Sequence, residues 1–307
     1  MEEEKSFSEK TLNVIEGIRG GVRAVAAIAA ASVLIPTQIL IAGPVFKDYE
    51  TIPKFSAGVL RRIAGIKVDI EGADLLKERA KDGKPRMYAA NHVSSMDIPI
   101  LLEMLGAPFI AKSEIANWPV VGDAGKSVGT IFVEKGKKGQ GIPNVHKALA
   151  NTFNDNRSVV VFPEGTTSRG DNILPFKKGV LSVLFENASD VPVEKDVKVQ
   201  PIAVRLTHVG GKSVAENPNL RDTFAWLPEV SFTQTFMHLF QQRSMKIEIR
   251  VLDEMNPKDY RNYNEFTNAA EHTMRRGFFA DNDNACAGCP QPVATGACDK
   301  SQPALAR

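Results

Sequence analysis

Cysteine is almost missing. The three that occur, Cys286, Cys289 and Cys298, fall at the end of a 307-residue chain. The rest of the chain therefore holds no disulfide framework, no cysteine nucleophile and no thiolate metal site. Charge of one sign is also lacking: 38 basic residues against 36 acidic ones leave a net charge of +2. That is too little to argue for a nucleic-acid partner. No G-x-S-x-G occurs, which argues against a serine lipid hydrolase; the nearest stretch, GKSVA (Gly211–Ala215), ends in alanine. GKS occurs twice, but a phosphate-binding loop needs glycine five residues earlier, where Val120 and Leu206 stand. Between Ala24 and Phe46 charge is missing altogether.

That uncharged run is long enough to cross a bilayer, which takes about 20 apolar residues. Pro36 and Pro44 interrupt it, and each part alone is too short to span. Arg19 and Arg23 precede it, and Lys47, Lys54, Arg61 and Arg62 follow. Basic residues on both sides place both ends on the cytoplasmic face, which in a bacterium is that of the inner membrane. The expectation is a helical hairpin embedded in one leaflet, followed by an amphipathic helix near Phe55–Ile63. Residues 1–63 form this membrane-associated part, 64–280 a catalytic domain, and 281–307, rich in Asp, Asn, Gly, Pro, Ala and Gln, a disordered tail.

The middle of the chain alternates strand-like and helix-like patterns, so a mixed α/β sheet flanked by helices is expected. Strands are predicted over Ile66–Gly72, Arg86–Ala90, Pro108–Ala111, Gly129–Lys135, Arg157–Gly165, Val197–Leu206 and Lys246–Leu252. Helices are predicted over Asp97–Leu105, Ile142–Phe153, Lys178–Asn187 and Tyr260–Phe278. Thr207–Phe236 reads as a long connection; its Trp226 and Phe232 are candidates to line an entrance or touch the membrane.

In YAANHVSSMDIPIL (Tyr88–Leu101) a strand runs into a helix, with His92 and Asp97 at the junction. Asp97 follows by about one and a third helical turns, so its carboxylate can return to the imidazole. An acid on one ring nitrogen fixes the tautomer and leaves the other as a base suited to deprotonating a hydroxyl. The same residues also fit a turn histidine followed by a helix-capping aspartate. His146, His208, His238 and His272 have no acid at such a spacing and read as ordinary residues.

Four blocks occur in order: NHVSSMD (Asn91–Asp97), GTIFVEK (Gly129–Lys135), FPEGTTSRG (Phe162–Gly170) and VQPIAV (Val199–Val204). Together they resemble the glycerolipid acyltransferase family, typified by 1-acylglycerol-3-phosphate acyltransferases. AKSEIANWPVVG (Ala111–Gly122) and LPFKKGV (Leu174–Val180) agree with it, and the likeness covers roughly residues 60–252. The resemblance implies direct acyl transfer from acyl-coenzyme A or acyl carrier protein to the free hydroxyl of a lysophospholipid at a membrane, with no cofactor, metal or nucleic acid. By this resemblance His92 is the base and Asp97 orients it. Asn91, Lys112, Lys135, Glu164, Gly165, Thr166, Thr167 and Arg169 bind substrate, Asn91 also shaping the turn. One position departs from the family: Thr167 stands where acceptors with a bare phosphate commonly meet arginine, the side chain suited to bidentate phosphate binding. The Gly-Thr-Thr-Ser form also resembles lyso-ornithine lipid and lysophospholipid acyltransferases, so the acceptor stays open.

Overall fold

Helix α1 (Glu2–Thr37) passes through Pro36 without breaking. The computed structural model describes residues 2–42, 50–133, 141–185, 191–227 and 229–280. The expected interruption at Pro36 is therefore not where the chain turns. Pro36 falls one residue from the end of α1, and the chain continues as a π-helical turn, Gln38–Ala42, where the regular ladder is already disrupted. Val14–Leu40 is long and apolar enough, by length and composition, to cross a membrane. After the link, which lies outside the described residues, α2 (Thr51–Ile63) returns against α1.

Then follow β1 (Ile66–Glu71), α3 (Ala73–Ala80), β2 (Arg86–Ala90), α4 (Asp97–Leu105), β3 (Ile110–Lys112), α5 (Val121–Ser127), β4 (Ile131–Val133), α6 (Gly141–Asn154), β5 (Val159–Val161), α7 (Lys178–Leu181), β6 (Lys198–Val209), β7 (Lys212–Ser213), α8 (Phe232–Gln241), β8 (Met245–Val251) and α9 (Tyr263–Phe278). The main sheet runs β1-β8-β6-β2-β5, with β7 on β6. β6, β2 and β5 are mutually parallel; β8 is antiparallel to β6 and parallel to β1. β3 and β4 pair in parallel, and a bridge from Phe109 to Val160 sets them beside β5. This is the expected mixed sheet.

Side chains alternate across it, as the two-residue period of a strand requires. Ala90, Val160, Ile202, Val204, Ile247 and Ile249 face a core that α1, α2, α4 and α8 complete through Ala27, Ala64, Leu101 and Phe240. Met87, Ala89, Val159, Val161 and Val199 face a second core closed by Leu149, Phe153, Phe266 and Met274 of α6 and α9. The N-terminal helices thus share a core with the sheet.

Two local readings change. Among the described residues, the helix predicted over Lys178–Asn187 is α7 and a 3-10 turn, Ser182–Leu184; its last two residues lie outside them. The long connection 207–236 contains β7, a 3-10 turn at Pro218–Thr223 and the start of α8. α8 begins with a capping box in which Ser231 and Gln234 bond each other's backbone. The basic residues ahead of the apolar run also have structural work. Arg19 donates to the Gln241 carbonyl at 2.9 Å. Arg23 donates to the carbonyls of Ala64, Phe240, Gln242 and Arg243, the C-terminal ends of α2 and α8. The carbonyls of Ala64, Phe240 and Gln242, in the last turn or at the cap of their helices, lie at the negative end of each helix dipole. Gly65, at φ +74°, makes room: a Cβ there would lie 2.7 Å from the Arg23 guanidinium.

Candidate active site

β2 leaves the sheet after Ala90, but its neighbour β6 continues to Val209. The next β6 backbone groups would be orphaned, and Asn91 supplies the missing edge. Its Nδ2 donates to the Val204 carbonyl at 2.9 Å, and its Oδ1 accepts from the Val204 N–H at 2.7 Å. Asn91 is fully buried. Its amide stands in for a strand partner beside β6, where the backbone of β2 has turned away.

Released by this turn, His92 stands at the carboxyl ends of β2 and β5. Its Nδ1 lies 2.9 Å from Asp97 Oδ2, which also accepts the N–H groups of Val93 at 2.7 Å and Ser94 at 2.9 Å. The carboxylate turns back over residues 92–94 and makes no cap to its own helix, so the capping alternative does not describe it. Asp97 is 0% exposed, against 16% for the His92 side chain. An acceptor at Nδ1 puts the proton there and leaves the lone pair on Nε2. Nε2 has no partner among the described residues. Phe162 stacks on the imidazole, centroids 4.0 Å apart and planes within 13°, and so restricts its rotation. That stacking was not read from the sequence, although Phe162 opens the FPEG block.

The β5 turn grips the same backbone. Glu164 Oε1 accepts the His92 N–H at 2.9 Å, and Oε2 accepts the Leu174 N–H at 2.8 Å. Ser168 N–H donates to the His92 carbonyl, and Trp226 N–H to the Val93 carbonyl, each at 2.8 Å. Glu164 is 1% exposed. Both carboxyl oxygens thus clamp backbone on either side of the site, one of them in the loop that carries His92. The arrangement is a buried acid, a positioned imidazole and an open ring nitrogen, which suits proton removal from a hydroxyl.

With this geometry in view, known proteins can be compared. Residues 67–205 match the acyltransferase family, from β1 through most of β6 and so across all four blocks. That match spans less than half of the chain and marks it as similar to that family. It is 29% identical over 227 residues to the lyso-ornithine lipid O-acyltransferase of Brucella abortus, covering 74% of this chain and 81% of that one. It is 36% identical over 129 residues to the 1-acyl-sn-glycerol-3-phosphate acyltransferase of Neisseria gonorrhoeae, covering 42% and 47%. The crystal structure of the 1-acyl-sn-glycerophosphate acyltransferase of Thermotoga maritima shares the fold, with a TM-score of 0.60 at 19% identity over 89% of this chain and 98% of that one.

The remaining candidate positions divide. Lys112 is exposed at the end of β3; Lys135 lies outside the described residues. Gly165 has φ +65°, and a Cβ there would lie 2.8 Å from Lys177, whose Nζ sits 3.5 Å from the Gly165 carbonyl. Thr166 is exposed. The backbone N–H groups of Gly165, Ser168 and Gly170 are already bonded within the fold. Those of Thr166, Thr167 and Arg169 have no partner among the described residues and could face an anion. The Thr167 hydroxyl donates to the Trp226 carbonyl, and Arg169 is ion-paired with Asp222. Trp226 packs against Trp118 and Phe232, centroids 6.2 and 5.6 Å away, so an aromatic wall stands beside the Val93 turn.

Burial raises the Glu164 carboxyl from 4.5 to about 7, against the two N–H bonds that favour its charged form. Between those values the folded chain holds a proton that the unfolded chain releases. Stability from this group is full below pH 4.5, declines as pH rises, and levels off above about 7. Denaturant midpoints measured across that range should fall with rising pH, and Glu164→Gln should flatten the fall. The glutamine amide would also set a donor against one of the two N–H groups and lower stability throughout. Parallel pH profiles for the two proteins would refute this account of Glu164.

Proposed function

We propose that this acyltransferase moves an acyl chain from a thioester, acyl-coenzyme A or acyl carrier protein, to the free hydroxyl of a lysolipid at the cytoplasmic face of a membrane. The observation that carries the reading is the His92–Asp97 pair, with Nδ1 engaged at 2.9 Å and Nε2 open. Nε2 takes the hydroxyl proton as the oxygen attacks the thioester carbonyl. A new C–O bond forms, the C–S bond breaks, and the imidazolium returns the proton to the leaving thiolate. Asp97 holds the tautomer and balances the transient positive charge. Neither metal nor redox group enters this balance. The apolar α1 would keep the cleft at the surface where lysolipids reside. The acceptor comes from the likeness to lyso-ornithine lipid O-acyltransferases and 1-acylglycerol-3-phosphate acyltransferases.

The test is acyl transfer by the detergent-solubilised full chain, with each donor in turn, to lysophosphatidate, lysophospholipids with diester headgroups, and lyso-ornithine lipid. Product ester on at least one acceptor is expected. Thioester hydrolysis without ester formation, or silence with both donors on every acceptor, would overturn the reading.

A further inference from the structure

The turn beside His92 carries one arginine, and its guanidinium is already engaged. Arg169 follows Ser168, whose N–H holds the His92 carbonyl, and precedes Gly170, where an added Cβ would lie 2.9 Å from Val93. Its Nε donates to Asp222 Oδ1 at 2.5 Å and its Nη2 to Asp222 Oδ2 at 2.8 Å, with Asn219 Oδ1 at 3.3 Å. Both partners belong to the 3-10 turn Pro218–Thr223. This is the paired geometry in which a guanidinium grips two oxygens of a carboxylate or of a phosphate. The arginine beside it holds the Asp222 carboxyl below the usual carboxylate range, so it is ionised at neutral pH. Three residues after that turn, Trp226 is tied to the site twice, its carbonyl accepting from Thr167 and its N–H donating to Val93.

We propose that Asp222 is a specificity-determining residue: by occupying the Arg169 fork it denies the site a bidentate grip on a dianionic phosphomonoester, and so favours lysolipids with a zwitterionic or singly charged headgroup. The proposal rests on the acyl-transfer reading and narrows its acceptor. Thr167 supplies a hydroxyl, directed at Trp226. Lys112 and Lys177 are point charges without a planar fork. Asp222 itself, across the fork, repels a second anion. Arg169 and Asp222 side chains are 38% and 47% exposed. An ion pair so exposed contributes little to stability, so it can be removed without unfolding the chain.

The experiment compares kcat/KM for lysophosphatidate and for lyso-ornithine lipid in the wild type, Asp222→Ala, and Asp222→Ala with Arg169→Ala. Glycerol 3-phosphate binding to the same three full-length proteins is measured alongside. Asp222→Ala should shift the acceptor ratio about tenfold toward lysophosphatidate, the size of one charge-assisted contact, and should tighten glycerol 3-phosphate binding. Both gains should vanish when Arg169 is also removed. A ratio and a binding constant that move less than about twofold, or gains that persist without Arg169, overturn the proposal. If no acceptor is acylated by the wild type, the acyl-transfer reading fails instead, and glycerol 3-phosphate binding still decides the role of Asp222.

Discussion

His92→Ala is expected to reduce acyl transfer by about 10²–10⁴-fold, the usual contribution of a positioned general base, while leaving the fold in place. The imidazole makes one hydrogen bond, to Asp97, and one stacking contact, to Phe162. The bonds that fix the turn are made by the backbone of residue 92 and by Asn91, so they survive the substitution. Initial rates beside a thermal unfolding curve check both halves. A mutant that retains its rate to within about twofold would remove His92 from the chemistry. A mutant that fails to fold would contradict this division between side chain and backbone.

The second large effect belongs to Asp97, and two substitutions separate its duties. Oδ2 accepts three N–H groups, and Oδ1 is buried without a partner among the described residues. Asp97→Asn can keep its carbonyl oxygen facing the three donors but removes the charge opposite the imidazolium. It should lower kcat by about 10²–10⁴-fold with KM little changed, and its unfolding midpoint should stay close to that of the wild type. Asp97→Ala takes away the acceptor as well. It strands the Val93 and Ser94 N–H groups in a dry site, at about 1–3 kcal/mol each, so it should lose both activity and stability. Were the alanine protein as stable as the asparagine protein, Asp97 would not be what holds the turn; were asparagine fully active, its charge would not matter to the reaction.

The pair itself was legible because everything it needs is local: a strand, a turn and a helix start within ten residues. The sheet was legible because parallel strands buried on both faces leave apolar runs such as VVV at Val159–Val161. The partners were not. Asn91 looks like part of a catalytic motif, but the backbone it completes is Val204, 113 residues on. Glu164 carries the same ambiguity, since a motif states that a carboxylate is required and not whether it faces a ligand or an amide. The ion-pair partner of Arg169 was not legible because Asp222 is 53 residues away. α8 is different, for its signal was present: Ser231 and Gln234 at capping-box spacing, then Phe232, Phe236 and Phe240 four apart. The density of aromatics drew attention to an entrance and away from the helix that presents them.

The seat of Arg23 has a practical consequence for anyone wanting a less apolar form of the protein. Cutting the chain after α1 would remove the donor shared by the carbonyls of Ala64, Phe240, Gln242 and Arg243, and would uncover the core side of α8. α8 bears Phe232, which packs on Trp226, and Trp226 bonds Val93 beside the base. Solubility would therefore have to come from repainting the outward residues of α1, Val14, Ile18, Val22, Val25, Ile28 and Val33, which are exposed, with the helix itself and its arginine kept.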